Sequence, residues 1–219
     1  MRFILVCPRA QLFPGLSPQG FLAPSAIDLE QLAPRCFFAE REPMERCSHF
    51  KQVIPYLVLT RARGAGGPRV LAYQRRGDHT EQRLGGLWSL GFGGHVEPLD
   101  RADATVASVG LVRAAALREL GEETGLAVPP AALVPAGFIN SDREDVSSVH
   151  LGVVYRVDLD ALSPDDDALA ATVTAQAEPH RVRWLPQSGL AALTGPGRGP
   201  DGGAFEDWSR IVIEGLFAR

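Results

Sequence analysis

The sequence predicts an α+β fold, a mixed sheet with at least two helices. Three observations point to it. Several segments of strand length are rich in β-branched and aromatic residues and are bounded by Gly, Pro, Asn or Asp. One long Ala/Val/Leu-rich stretch, Thr105 to Thr124, runs with few breakers and ends at Gly125. Near the end of the chain, "FEDWSRIVIEGLFA" places Phe205, Trp208, Ile211, Val212 and Leu216 close to helical spacing, which predicts an amphipathic helix.

Taken in order, "RFILV" is a short strand, "FPGLSPQGFLAPS" is loop, and "AIDLEQLA" is a short helix begun by Ser25. "RCFFAER" predicts a second strand and "HFKQVIPYLVLTR" (His49 to Arg61) a buried one. "GAGGP" (Gly64 to Pro68) is turn punctuation, and "RVLAYQRR" follows as the partner of a hairpin. "LWSLGFGGHV" (Leu87 to Val96) is a strand running into a Gly-rich bend, followed by a polar loop, "EPLDRADATV". Asp103 or Thr105 would cap the long helix, and Pro129 and Pro130 lie beyond its end. "AALVPAGFIN", "SVHLGVVYRVDL" and "HRVRWLP" predict three more strands. "SPDDDALAA" is a loop or a weak helix, and "GPGRGPDGG" (Gly195 to Gly203) is a flexible loop. There is no internal repeat.

The 219 residues can bury a sizeable core. Apolar residues make up 45%, charged residues 22%, and the net charge is −4 with a pI near 5.7. Nothing in that balance suggests a broad basic surface for duplex DNA. The apolar runs, such as "FILVC", are too short for a membrane span or a secretory signal, so the expected location is the cytoplasm. Cys7, Cys36 and Cys47 are odd in number and irregular in spacing; they read as packed or idle thiols rather than a disulfide framework.

The chemistry lies in "RELGEETGL" (Arg118 to Leu126). Glu119, Glu122 and Glu123, at i, i+3 and i+4, share one helix face. Like charges at these spacings cost an isolated helix about a few tenths of a kcal/mol. They also stand at the C-terminal end, where the helix dipole disfavours anions, and they lack basic partners at i±4. A bound divalent cation answers both problems, and hard carboxylate oxygens suit Mg²⁺. A solvated acidic face is the plainer alternative. Upstream, Gly93–Gly94 in "GLWSLGFGGHVE" lets the backbone approach an ion or phosphate, and the Gly93 carbonyl is a candidate metal ligand.

With these two pieces in hand, "GGHVE" followed by "RELGEETGL" resembles the Nudix hydrolase motif, matching every fixed position from Arg118 to Leu126. "IPYLVL", "YQRR", "GFGGHVEPLD", "VHLGVVY" and "EDWS" are further similar to a bacterial branch of predicted Nudix-family phosphoesterases. Two departures stand out. About ten extra residues around "PLDRADATVA" separate the Gly pair from the Arg-Glu, and Gly110 stands where the motif has its first, loop-bracing Glu; Glu97 is the candidate substitute.

The resemblance implies an α/β/α sandwich, with residues 49–219 as the Nudix domain and 1–48 as an N-terminal extension packed on it. It implies a Mg²⁺- (or Mn²⁺-) dependent hydrolase that cleaves a phosphoanhydride bond in a nucleoside diphosphate linked to another group. Glu119, Glu122, Glu123 and the Gly93 carbonyl would hold metal, Glu122 would serve as ligand and base, and Arg118 would orient Glu119. Glu144, Asp145 and Glu178 are later candidates for the base. Arg75, Arg76 and Arg83 are candidate phosphate contacts, and His95 a substrate or metal contact. His150 reads as structural, and Trp88, Trp184 and Trp208 as core, while Phe92 or Phe138 is placed to stack on a base. The expected partner is a small-molecule diphosphate, with no duplex DNA and no membrane; relatives are commonly homodimers. Two alternatives belong to the same fold: a non-catalytic nucleotide-binding module, and an isopentenyl diphosphate isomerase. The latter carries a catalytic Cys in a loop that here reads "SLGFGGH".

Overall fold

The computed structural model describes residues 1–63, 67–75, 85–100, 108–160, 162, 165–177 and 181–218. In chain order the elements are β1 (Phe3–Pro8), α1 (Arg9–Leu12), β2 (Gly20–Leu22), α2 (Leu29–Leu32), β3 (Phe37–Glu40), α3 (Arg41–Met44), β4 (Phe50–Arg61), β5 (Arg69–Gln74), β6 (Trp88–Ser89), β7 (Gly91–Phe92), α4 (Val109–Thr124), β8 (Leu133–Asn140), α5 (Asp145–Ser148), β9 (His150–Asp158), α6 (Asp166–Ala177), β10 (Arg181–Pro186) and α7 (Asp207–Val212). This is an α+β fold. Two units share the chain, one of 1–56, 93–119 and 135–155, the other of 57–92, 120–134 and 156–219.

In the first unit β1 pairs antiparallel with β3, setting Phe3 opposite Glu40, and with β4, setting Val6 opposite Gln52. The ladder continues β4–β9–β8–β2. Ile4, Leu5, Val6 and Cys7 of β1 are all buried, so the strand reads as an unbroken apolar run rather than an alternating one. The Leu5 amide donates to the Val96 carbonyl at 2.8 Å, which ties β1 to the loop after β7. "GFL" within the expected 13–25 loop is a strand, β2, on β8 with Gly20 opposite Asn140. Its partner lies far away in sequence, so local pattern alone could not reveal it. The short helix α2 is capped by Asp28, whose carboxylate accepts from the Glu30 and Gln31 amides. Ser25 instead sits in a 3₁₀ turn, Pro24–Ala26.

In the second unit the order is β10–β5–β4, with β6 on β5 and β7 on β4. β5 faces the end of β4 antiparallel, Val70 opposite Thr60, and this is the expected hairpin. These ladders are antiparallel, and a parallel bridge between Trp88 and Phe205 makes the sheet mixed. Trp88, Leu90, Leu57, Leu59 and Leu71 are fully buried at its core. α7 begins at Glu206, whose carboxylate accepts from the Trp208 and Ser209 amides, and loosens into a π-helical turn over Ile213–Phe217.

"SPDDDALAA" contributes to a helix, α6, capped by Asp165. The Gly195–Gly203 loop is more ordered than its composition predicts. Gly199 donates to the Gly203 carbonyl, and Asp201, at φ +54°, accepts from Arg181 and Arg183 of β10. Residues 64–66 of the "GAGGP" turn and the proposed caps Asp103 and Thr105 lie outside the described residues; α4 is described from Val109, with the Ser108 hydroxyl accepting from the Leu111 amide. No helix among the described residues is long and apolar enough to cross a membrane.

Candidate active site

The Gly loop starts where β7 ends. Gly93 has φ +153°, and a Cβ there would lie 1.9 Å from the Pro55 carbonyl oxygen, so only glycine lets these backbones touch. A Cβ on Gly94 would lie 2.5 Å from Oε1 and 2.7 Å from Oε2 of Glu119. Gly93 therefore makes room for the β4 backbone and Gly94 for a carboxylate arriving from α4.

Arg118 locks that carboxylate to the loop. Its Nε and Nη2 donate to the two oxygens of Asp100 at 2.7 and 3.0 Å, Nη2 also donates to the His95 carbonyl at 2.9 Å, and Nη1 donates to Glu119 Oε1 at 2.7 Å. Asp100, whose side chain is 2% exposed, also accepts from the Glu97 amide at 2.8 Å. The bidentate Asp100 contact chiefly raises the Arg118 pKa; burial opposes it, and Glu119 reinforces it, so the guanidinium stays charged. A planar five-donor fork spends its donors on three different loop and helix acceptors, a task lysine could not perform.

Farther along α4, Glu122 is exposed and Glu123 half-buried, on the face that carries Glu119. The helix closes as expected. Gly125, at φ +70°, donates to the Gly121 carbonyl, and the Thr124 hydroxyl donates to the Leu120 carbonyl.

In the second unit, Tyr73 stacks on Phe92 with ring centroids 4.4 Å apart and donates to the Gly91 carbonyl. The Arg75 guanidinium lies 5.7 Å from the centre of the Tyr73 ring. Burial pushes the Tyr73 hydroxyl up to about 12; Arg75 opposes this, while Glu123 and Glu206 add to it. Arg75 and Glu123 thus act on the same buried phenol.

Of the residues read from sequence, the structure gathers Gly93, Gly94, Arg118, Glu119 and the His95 carbonyl. The His95 imidazole goes elsewhere, with Nε2 2.7 Å from Gln52 Oε1. Burial, with Arg41 and His150 nearby, drives its pKa down to about 3. Arg76, Arg83 and Glu178 lie outside the described residues. Glu144 and Asp145 are exposed at the start of α5. Phe92 and Phe138 are 1% and 4% exposed, so these rings fill the core and are not presented for stacking on a base. The loop–helix brace in the structure is made by the Asp100 side chain, eighteen residues before Arg118, and the Glu97 amide donates to it. The only sequence signal was an acidic residue in the inserted "EPLD" turn.

The NUDIX domain family model matches residues 51–201. Protein YmaB of Bacillus subtilis (strain 168) is 34% identical over 162 residues, covering 71% of this chain and 75% of that protein. Tm1382, a solved structure assigned to the Nudix hydrolases, is 25% identical with a TM-score of 0.64 over 98% of both chains. DR0079 of Deinococcus radiodurans superposes with a TM-score of 0.50 at 13% identity, over 90% of this chain and 98% of its own.

Proposed function

The chain belongs to the Nudix family, as a Nudix-type pyrophosphohydrolase, and from that premise we propose that it hydrolyses a phosphoanhydride bond in a nucleoside diphosphate derivative with Mg²⁺ or Mn²⁺ as cofactor. The observation that carries the reading is the fixed position of Glu119, held against Gly94 by Arg118 while Glu122 and Glu123 follow on the same helix face.

The donor set is hard oxygen, three carboxylates and the Gly93 carbonyl, which fits Mg²⁺. When bound, such an ion neutralises phosphoryl charge and lowers the pKa of coordinated water. The protein's share is positioning. Asp100 fixes Arg118, Arg118 fixes Glu119, and the glycine pair keeps the loop close enough for that carboxylate to lie against it. Phosphoryl transfer depends mainly on such positioning and charge compensation. Glu122, exposed on the acidic face, accepts the proton of the attacking water; Arg75 meets the phosphates of the substrate.

The test is phosphate-product release from a panel of nucleoside diphosphate and triphosphate derivatives, run with Mg²⁺, with Mn²⁺ and with chelator. Turnover that needs the divalent ion supports the reading. No turnover of any substrate, with ligands still raising the melting temperature, would replace it with a nucleotide-binding module.

A further inference from the structure

A second group of ligand-bearing side chains, none of them on α4, converges in the first unit. Glu45 just after α3, His95 in the loop after β7 and His150 at the start of β9 bring one carboxylate oxygen and two imidazole nitrogens within 4.8 Å of one another. His150 is buried and the other two are half-buried. The two rings lie 5.6 Å apart, tilted by 57°.

Each group is oriented from behind. His150 Nδ1 faces the Val146 carbonyl. A carbonyl only accepts, so the proton sits on Nδ1 and the lone pair on Nε2. Gln52 sets the other two: its amide nitrogen lies 3.4 Å from Glu45 Oε2, which turns its oxygen toward His95 Nε2 at 2.7 Å. The His95 proton is then on Nε2, and Nδ1 carries the lone pair. Arg41 Nε donates to the other Glu45 oxygen at 2.7 Å. Imidazoles backed by a carbonyl or amide, with a fixed tautomer, are the arrangement that metal-binding histidines use.

We propose that Glu45, His95 and His150 form a binding site for a divalent transition ion of the Zn²⁺ class, separate from the hard-oxygen face of α4. Two imidazole nitrogens and one carboxylate prefer such an ion to Mg²⁺, which favours oxygen ligands and retained waters. The site has a mechanical consequence. The His95 carbonyl accepts from Arg118, and its neighbour Gly94 lies under Glu119. An ion on the His95 imidazole would add a second tether to the loop that Arg118 already holds.

Co²⁺ titration of the full chain with Mg²⁺ in large excess tests this by visible d–d absorption. Wild type takes up one Co²⁺ with the bands of nitrogen and oxygen ligands. His150→Gln and Glu45→Gln each weaken that binding by at least about tenfold, while Glu122→Gln leaves it unchanged. Glu45 is half-exposed, so its variant decides the matter if the buried His150 substitution compromises folding, and metal-free melting curves identify that case. The proposal is overturned if wild type binds no Co²⁺ under excess Mg²⁺, if binding survives both ligand substitutions, or if thiolate charge-transfer bands appear. Loss in Glu122→Gln alone would overturn it too, by placing the ion on α4.

Discussion

At the scale of single residues, the candidate site depends on groups that leave no room for substitution. Gly94→Ala places a methyl group 2.5 Å from a Glu119 oxygen, so the carboxylate must move. A displacement on the order of 1 Å can cost about 10²-fold in rate. The expected outcome is a fall in kcat of that size with the chain still folded, read by steady-state kinetics beside circular dichroism. Asp100→Asn leaves Arg118 without its bidentate anion and costs about 1.5–3 kcal/mol of stability in urea titrations. Neither residue's part was fully legible in the sequence. Arg118 and the three glutamates were readable because their spacing is helical, whereas Asp100 reaches Arg118 across an inserted loop that has no periodicity. A third test lies at Asp142, which pairs with the fully buried Lys51 at 3.1 Å and also with Arg9. Asp142→Asn strands that ammonium and costs about 2 kcal/mol, reduced from the ~3–5 kcal/mol of a fully buried pair because Asp142 is one-third exposed. Lys51→Met costs less. Burial pushes the Asp142 carboxyl up, but Arg9 and Lys51 outweigh it and hold it below its ordinary 3.8. Its contribution is therefore complete above pH 3.8 and is lost as pH falls toward the lower, folded value. The Asn variant should show a flatter decline of stability with acid in that window.

At the scale of elements, strands with strong local pattern were legible and those defined by a distant partner were not. β1, β3, β4, β5, β8, β9 and β10 each carry an apolar or aromatic run, and all seven were read. β2 is three residues whose strand character comes from β8. The ordered Gly195–Gly203 loop was missed for a similar reason: its anchor, Asp201, finds arginines on β10. α4 illustrates both outcomes. Its Gly125 terminus was readable because a left-handed C-terminal residue favours glycine. Gly110, by contrast, is exposed with space around it and has no left-handed φ. Gly110→Ala should therefore stabilise the chain by about 0.5 kcal/mol, near the low end of the helix scale because the position lies in the first turn. Gly125→Ala, at φ +70°, should destabilise it by about 1 kcal/mol. Thermal melts of the two variants give opposite signs if the helix is built as described.

At the scale of the whole molecule, the α+β class and the Nudix motif were both legible, because alternating composition and a fixed nine-residue pattern survive in one sequence. The N-terminal segment was not legible in detail. Its strand β1 pairs with β4 and holds the Val96 carbonyl, so it supports the Gly loop directly. In the mechanism we propose, the carboxylates of α4 perform metal-dependent hydrolysis. The most direct test compares wild type with Glu122→Gln on the best substrate of the panel, under saturating Mg²⁺, with melting temperature measured in parallel. Glu122 is exposed, so the substitution should leave the fold intact while kcat falls by about 10²-fold or more. Unchanged turnover in Glu122→Gln would contradict the assignment of this helix face as the catalytic centre.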